Sequence, residues 1–138
     1  MDALELPEND YLYIQISQIE NAGFGLFTAI NIYKNEIIAI FKGEILSNKE
    51  AKIRALNNQD AYFINLLSGK IMDSMLVNCF AKYANDANGS INNFKNNAQI
   101  QMTDNNKIAI VATKNIKASS EIFCSYGKKY WLKKQNDY

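Results

Sequence analysis

Glu121-Ile122-Phe123-Cys124-Ser125-Tyr126-Gly127, followed at once by Lys128-Lys129-Tyr130-Trp131, is the stretch on which the fold turns. Its start reads as a strand over 121–125, the Tyr-Gly pair ends it, and 128–133 predict a short terminal helix. Alone, such an ending is ordinary core packing. Working upstream, Ala98 to Thr103 and Lys107 to Thr113 alternate like a hairpin around Asp104-Asn105-Asn106. Before them, Asn85 to Asn97 is polar and predicts a loop. Lys82-Tyr83-Ala84-Asn85-Asp86-Ala87 joins an apolar run to that loop, where a buried Asn could hold neighbouring backbones. Near the N-terminus, Asn21-Ala22-Gly23-Phe24-Gly25 predicts a tight turn between a strand over 11–16, with Leu12, Ile14 and Ile16 on one face, and another over 26–28. Gly23-Phe24-Gly25 by itself is a strand-connecting turn. Paired glycines also let a ligand approach the backbone closely. No long helix follows, so a dinucleotide fingerprint is not supported.

Between these segments, Glu36 to Phe41 is a β-branched apolar run, and Gly43 separates it from Ile45-Leu46. Ser47-Asn48-Lys49-Glu50 fits a capping box, predicting a helix through Ala51, Ile53 and Leu56 to the Asn57-Asn58 stop. Tyr62 to Leu66 and Lys70 to Asp73 read as short strands around Ser68-Gly69, and 78–84 as a helical turn. No internal repeat is evident. The sum is a β-rich α+β domain of short strands with one good helix.

The 138 residues suit one domain with its own core, expected over 1–138. A net charge of +1 offers no large field for nucleic acid or a membrane surface. The absence of His removes Ser-His and Cys-His nucleophile pairs and His-ligated metals. Two cysteines, Cys79 and Cys124, are too few for a structural zinc site or a disulfide framework, and no metal site is expected. Met1-Asp2-Ala3-Leu4-Glu5 lacks the features of a signal peptide, and no apolar stretch is long enough to span a membrane. An intracellular protein is expected, with nucleus and cytoplasm not distinguished. The abundant Asn pairs carry no functional weight in this reading.

The order of the motifs changes their meaning. From about Tyr11 to Trp131 the chain resembles the SET-domain protein lysine methyltransferases, whose phrases read roughly G-x-G, R-F-I-N-H-S, P-N, A-x-x-x-I-x-x-G-E-E-L and D-Y-G. The matching residues are Gly23-Phe24-Gly25, Lys82 to Ala87, Asn97, Ala112 to Ile122, and Ser125-Tyr126-Gly127. The ending looks like that of short members without a zinc-binding cysteine cluster after the domain. Departures stand at Lys82 for Arg, Asp86 for His, Ser119-Ser120-Glu121 for Gly-Glu-Glu, and Ser125 for Asp. The resemblance implies short strands in small sheets, one main helix, and a C-terminal segment threaded under a loop.

It also implies S-adenosyl-L-methionine as methyl donor and a protein or peptide presenting a lysine as substrate. A histone tail is the family's commonest target, though the sequence names none. Gly23, Phe24 and Gly25 would offer backbone contacts to the donor, and Asn85 would bond its polar edge, with Lys82 and Tyr83 beside it. Trp131 or Tyr130 would stack on the adenine. Tyr126 takes the catalytic tyrosine position and also touches the donor, while Tyr62 matches a second tyrosine of the lysine channel. The chemistry is in-line transfer of a methyl group from a sulfonium to an uncharged amine. Deprotonating a lysine of pKa ~10.4 at neutral pH costs roughly 4 kcal/mol. A dry channel and the sulfonium both lower that pKa. Alignment of the two reactants contributes about 7–11 kcal/mol, so no His base is needed. Cys124, where the family often has Phe or Tyr, either leaves room for more than one methyl group or is simply a buried apolar residue. The competing reading is a divergent, catalytically weak SET-fold module that binds a peptide or protein partner.

Overall fold

The computed structural model describes residues 2–3, 6–66, 68–88, 90–91 and 93–125. In chain order the elements are β1 (Asp2–Ala3), α1 (Glu8–Tyr11), β2 (Leu12–Ile16), β3 (Phe24–Thr28), β4 (Glu36–Ile40), β5 (Glu44–Leu46), α2 (Asn48–Leu56), β6 (Phe63–Asn65), β7 (Ile71–Asp73), a 3-10 turn at Ala81–Tyr83, β8 (Ala98–Met102), β9 (Ile108–Ala112), β10 (Glu121–Ile122) and β11 (Cys124–Ser125). Short strands in small sheets with one main helix are what the sequence predicts. The expected terminal helix over 128–133 and the threaded C-terminal segment lie outside the described residues.

The described chain forms two compact units, one of residues 1–41 and 80–125, the other of residues 42–79. The first holds a sheet in the order β1-β4-β9-β8-β11 and a smaller one, β10-β3-β2. Its central strand β9, Ile-Ala-Ile-Val-Ala, is buried at every position, which a strand covered on both faces requires. The expected hairpin is present: β8 and β9 pair antiparallel from Ala98↔Ala112 to Met102↔Ile108. Asn106 sits at φ 62 in the connection. Tyr11 ends α1 and does not begin a strand. It is 3% exposed, and its hydroxyl donates to the Ile38 carbonyl at 2.6 Å. Burial, with Glu8 and Glu36 nearby, pushes its pKa up to about 12 and keeps it a donor. The apolar face expected of β2 fades along the strand, from buried Leu12 to Ile16 at 66% exposure.

An internal likeness that the sequence reading missed appears where Ile32 and Ile116 form an antiparallel bridge. Asn31 Oδ1 accepts from the Ala118 N–H, and Asn115 Oδ1 accepts from the Lys34 N–H, each at 2.9 Å. Each Asn-Ile pair leads to a left-handed residue, Asn35 at φ 74 and Ser119 at φ 72, and then to the Glu-Ile that opens a strand. Asn tolerates this conformation through its short polar side chain; Ser does so less readily. Ser119→Gly should therefore stabilise the protein by about 0.5–1 kcal/mol, net of glycine's greater chain entropy. Calorimetric melting should show a rise of about 2–5 °C, and an unchanged or lowered Tm would show that φ is not what limits this turn.

The second unit is the sheet β5-β7-β6 with α2. Leu46, Ala51, Phe63 and Ile71 form its apolar cluster. The expected cap is real: Ser47 Oγ accepts from the Glu50 N–H at 3.2 Å. Arg54, in the last turn of α2, donates to Glu44 at 3.0 Å and to fully buried Asp73 at 2.8 Å. The Arg54 hydrogen bond holds the Glu44 carboxyl below its ordinary range.

Candidate functional site

The site begins at the turn between β2 and β3 in the first unit. Ser17 N–H donates to the Gly23 carbonyl at 2.8 Å and closes the neck. Gly23 turns the chain at φ 73 with open space around its α-carbon. The tight turn ends there, earlier than expected, because Phe24 and Gly25 already pair with Ile16 and Gln15 as strand. That alternation aims the Phe24 ring outward, 57% exposed. At Gly25 the inward side is filled: a Cβ would overlap Oε2 of Glu121 and approach Ser17 Cβ to 3.2 Å. Glycine is needed there for close approach by the protein itself.

Asn85 ties this turn to the rest of the site. Its Nδ2 donates to the Phe24 carbonyl at 3.0 Å, and its own carbonyl accepts from the Cys124 N–H at 2.8 Å. A parallel bridge joins Asn85 to Phe123. One half-buried residue thus links the glycine turn to the final strand. The 3-10 turn before it packs on β3, with Lys82 Nζ 5.4 Å from the centroid of the Tyr83 ring. Asp86 Oδ1 accepts from the Asn88 N–H and from Asn96 Nδ2, both at 2.9 Å. Asn96 Oδ1 in turn accepts from the Ala87 N–H at 2.8 Å, closing the base of the polar loop. Within the loop, Asn88, Asn93, Phe94 and Lys95 help line an open hollow of about 430 Å³. Phe94 stacks on Phe123 with ring centroids 5.2 Å apart.

Three residues that sequence reasoning did not place in the site, Asn97, Glu121 and Ser17, organise it. Asn97 Oδ1 accepts from the Phe123 N–H at 2.9 Å while its Nδ2 donates to the Glu121 carbonyl at 3.0 Å. That pair of hydrogen bonds splits the single strand expected over 121–125 into β10, paired with β3, and β11, paired with β8. Glu121, 2% exposed, accepts from Ser17 Oγ at 2.6 Å and from the Gln18 N–H at 2.7 Å. Asn97 lay within a family phrase, so a signal existed for it; nothing in the sequence pointed to Ser17. Cys124 is fully buried, and burial, with Asp86 adding, pushes its thiol far above the ordinary range, so it packs un-ionised.

The structure therefore brings Gly23, Phe24, Gly25, Lys82, Tyr83 and Asn85 into one unit. Tyr62, half-buried, belongs to the other unit, just before β6. Tyr126, Tyr130 and Trp131 lie outside the described residues.

A family model for the SET domain matches residues 23–127. Histone-lysine N-methyltransferase EZH2 of Chaetomium thermophilum is 29% identical over 126 residues, covering 83% of this chain and 8% of that protein. A humanized mutant of the Chaetomium thermophilum Polycomb Repressive Complex 2 bound to the inhibitor GSK343 superposes with TM-score 0.73 at 27% identity, covering 88% of this chain and 16% of the other. A ctPRC2 structure in an autoinhibited conformation bound to S-adenosylmethionine gives 0.69 at 27% identity, over 87% and 15%. This chain spans less than a fifth of each of these relatives. The match runs from the glycine turn, through the Asn85 link, to the Tyr-Gly phrase, and the chain belongs to the SET domain family.

Proposed function

We propose that this protein transfers a methyl group from S-adenosyl-L-methionine to the ε-amine of a lysine in a protein substrate. The observation that carries this is the Asn85 junction, which holds the Phe24 carbonyl and the Cys124 N–H at once. It joins two of the segments assigned to the donor, immediately upstream of Tyr126. The residues present fit the donor. Gly23 leaves open space beside the backbone, Phe24 offers an exposed ring, and the half-buried Asn85 holds the turn in place.

When bound, the donor supplies a sulfonium methyl group. Around it, Gly23, Phe24 and Gly25 offer backbone contacts, and Lys82 and Tyr83 flank Asn85. The resemblance assigns Tyr126 the catalytic tyrosine position, Tyr62 to the lysine channel and Trp131 to the adenine. The un-ionised Cys124 takes no part as a nucleophile. A histone tail is the first substrate to test, supported by the activity named for the EZH2 relative. Labelled donor incubated with histones, other proteins and lysate would reveal the target.

Donor binding is tested directly by Asn85→Ala. Loss of the clamp should raise the Kd of S-adenosylhomocysteine about tenfold, the loss of one to two hydrogen bonds. Calorimetry on a variant of near-normal Tm measures this. Unchanged affinity would remove Asn85 from the donor site.

A further inference from the structure

Glu121 presents a problem that the fold alone does not solve. Its carboxylate is buried behind the glycine turn, touching Gly25 where a Cβ would otherwise lie. Its partners there are neutral: the Ser17 hydroxyl at 2.6 Å and the Gln18 N–H at 2.7 Å. Among the described residues no cation pairs with it, the ion pairs being those of Arg54 in the other unit. Burying a carboxylate without a countercharge is costly. The hydrogen bonds themselves do not need the charge. A glutamine of the same shape could accept from the Gln18 N–H and donate to Ser17 Oγ, whose hydroxyl is free to rotate.

The position of the charge suggests its use. Ser17 is the residue whose N–H closes the turn onto Gly23, so the carboxylate sits at the neck of the segment that meets the donor. Out of water, its field would act on a donor held at residues 23–25 with little screening by solvent or salt. The two ligands of such a site differ in one respect that a carboxylate can sense. The methyl donor is a sulfonium cation, and the product left after transfer is a neutral thioether.

We propose that Glu121 is a positioning residue whose buried charge makes the site favour the cationic donor over its neutral product. This rests on the reading that residues 23–25 hold the donor. Binding a cation more tightly than its neutral analogue is how such a group would speed exchange of spent product for fresh donor.

The test is calorimetric binding of S-adenosylmethionine and S-adenosylhomocysteine to the wild type and three variants, with Tm recorded for each. Glu121→Gln should weaken S-adenosylmethionine about tenfold while leaving S-adenosylhomocysteine within about twofold. Glu121→Asp, charged but shorter, should weaken both and keep the wild-type ratio of the two. Ser17→Ala, which removes a hydrogen bond and leaves the charge, should also keep that ratio. A Glu121→Gln protein that weakens both ligands alike, or is too unfolded to bind either, would overturn the proposal in favour of a purely structural role. A ratio that moves as far in Glu121→Asp as in Glu121→Gln would overturn it too. A wild type that binds neither ligand would bring down the donor-site reading itself, and this inference with it.

Discussion

Tyr126→Phe is expected to lower the single-turnover rate of methyl transfer by about 10²–10³, by analogy with the loss of one preorganised donor in an oxyanion hole. The hydroxyl is assigned to orienting the amine, an interaction that matters mainly in the transition state, so kcat should fall more than KM rises. Phe keeps the ring's bulk, so the variant should melt near the wild-type temperature. A tyrosine that only packs predicts the opposite pattern, with near-normal turnover for Phe and lost stability for Ala. Tyr126 follows Ser125 directly, and Ser125 is fixed by β11 pairing with Gln99 of β8. A Tyr126→Phe protein with the wild-type rate would remove the catalytic assignment. Normal donor binding alongside the lost rate would separate the chemistry from the cradle.

Asn97→Ala should be the most damaging single change to the architecture behind the site. It leaves the Phe123 N–H, in a residue 5% exposed, and the Glu121 carbonyl without their side-chain partner. Each orphaned buried group costs about 1–3 kcal/mol, giving about 2–6 kcal/mol together. For a domain of this size that is a fall in Tm of roughly 10 °C or more. Gln99→Ala, two residues away on the exposed face of β8, should change stability by less than about 0.5 kcal/mol. Denaturant melts of the two variants decide the matter. An Asn97→Ala protein as stable as Gln99→Ala would show that the kink between β10 and β11 is held by something other than that side chain.

Local pattern made much of this fold legible. The alternation of residues 98–113 encodes the β8–β9 hairpin directly, and the Ser47-Glu50 spacing encodes the start of α2. Reading failed where a contact between distant segments overrides local pattern. The run 121–125 looks like one strand, yet Asn97 and Asn85 divide its partners between two sheets. Phe24 and Gly25 look like turn, yet β2 captures them as strand. Ser17 and Glu121 are 104 residues apart, a separation at which no periodicity carries information. Asn received no weight by composition. The structure uses it for clamps at Asn31, Asn85, Asn96, Asn97 and Asn115, and for left-handed turns at Asn21, Asn35, Asn58, Asn93 and Asn106. The family was legible because several weak phrases occurred in one order, which no single phrase could have established.

The segment Lys42–Cys79 interrupts the first unit in sequence, and among the described residues its strands pair with one another. During synthesis it emerges whole, so β5 and β7 can join before β8 to β11 exist. The first unit must wait for partners such as Val111 for Ile37 and Ile122 for Leu26. At about 5–20 residues per second, that leaves seconds in which the sheet β5-β7-β6 can be complete while each sheet of the first unit still lacks a strand. Closing the first unit around a longer excursion would cost only about 0.6 kcal/mol per doubling of its length. Length added to this segment away from Tyr62 would therefore leave the pairing that holds the glycine turn, Asn85 and Glu121 intact.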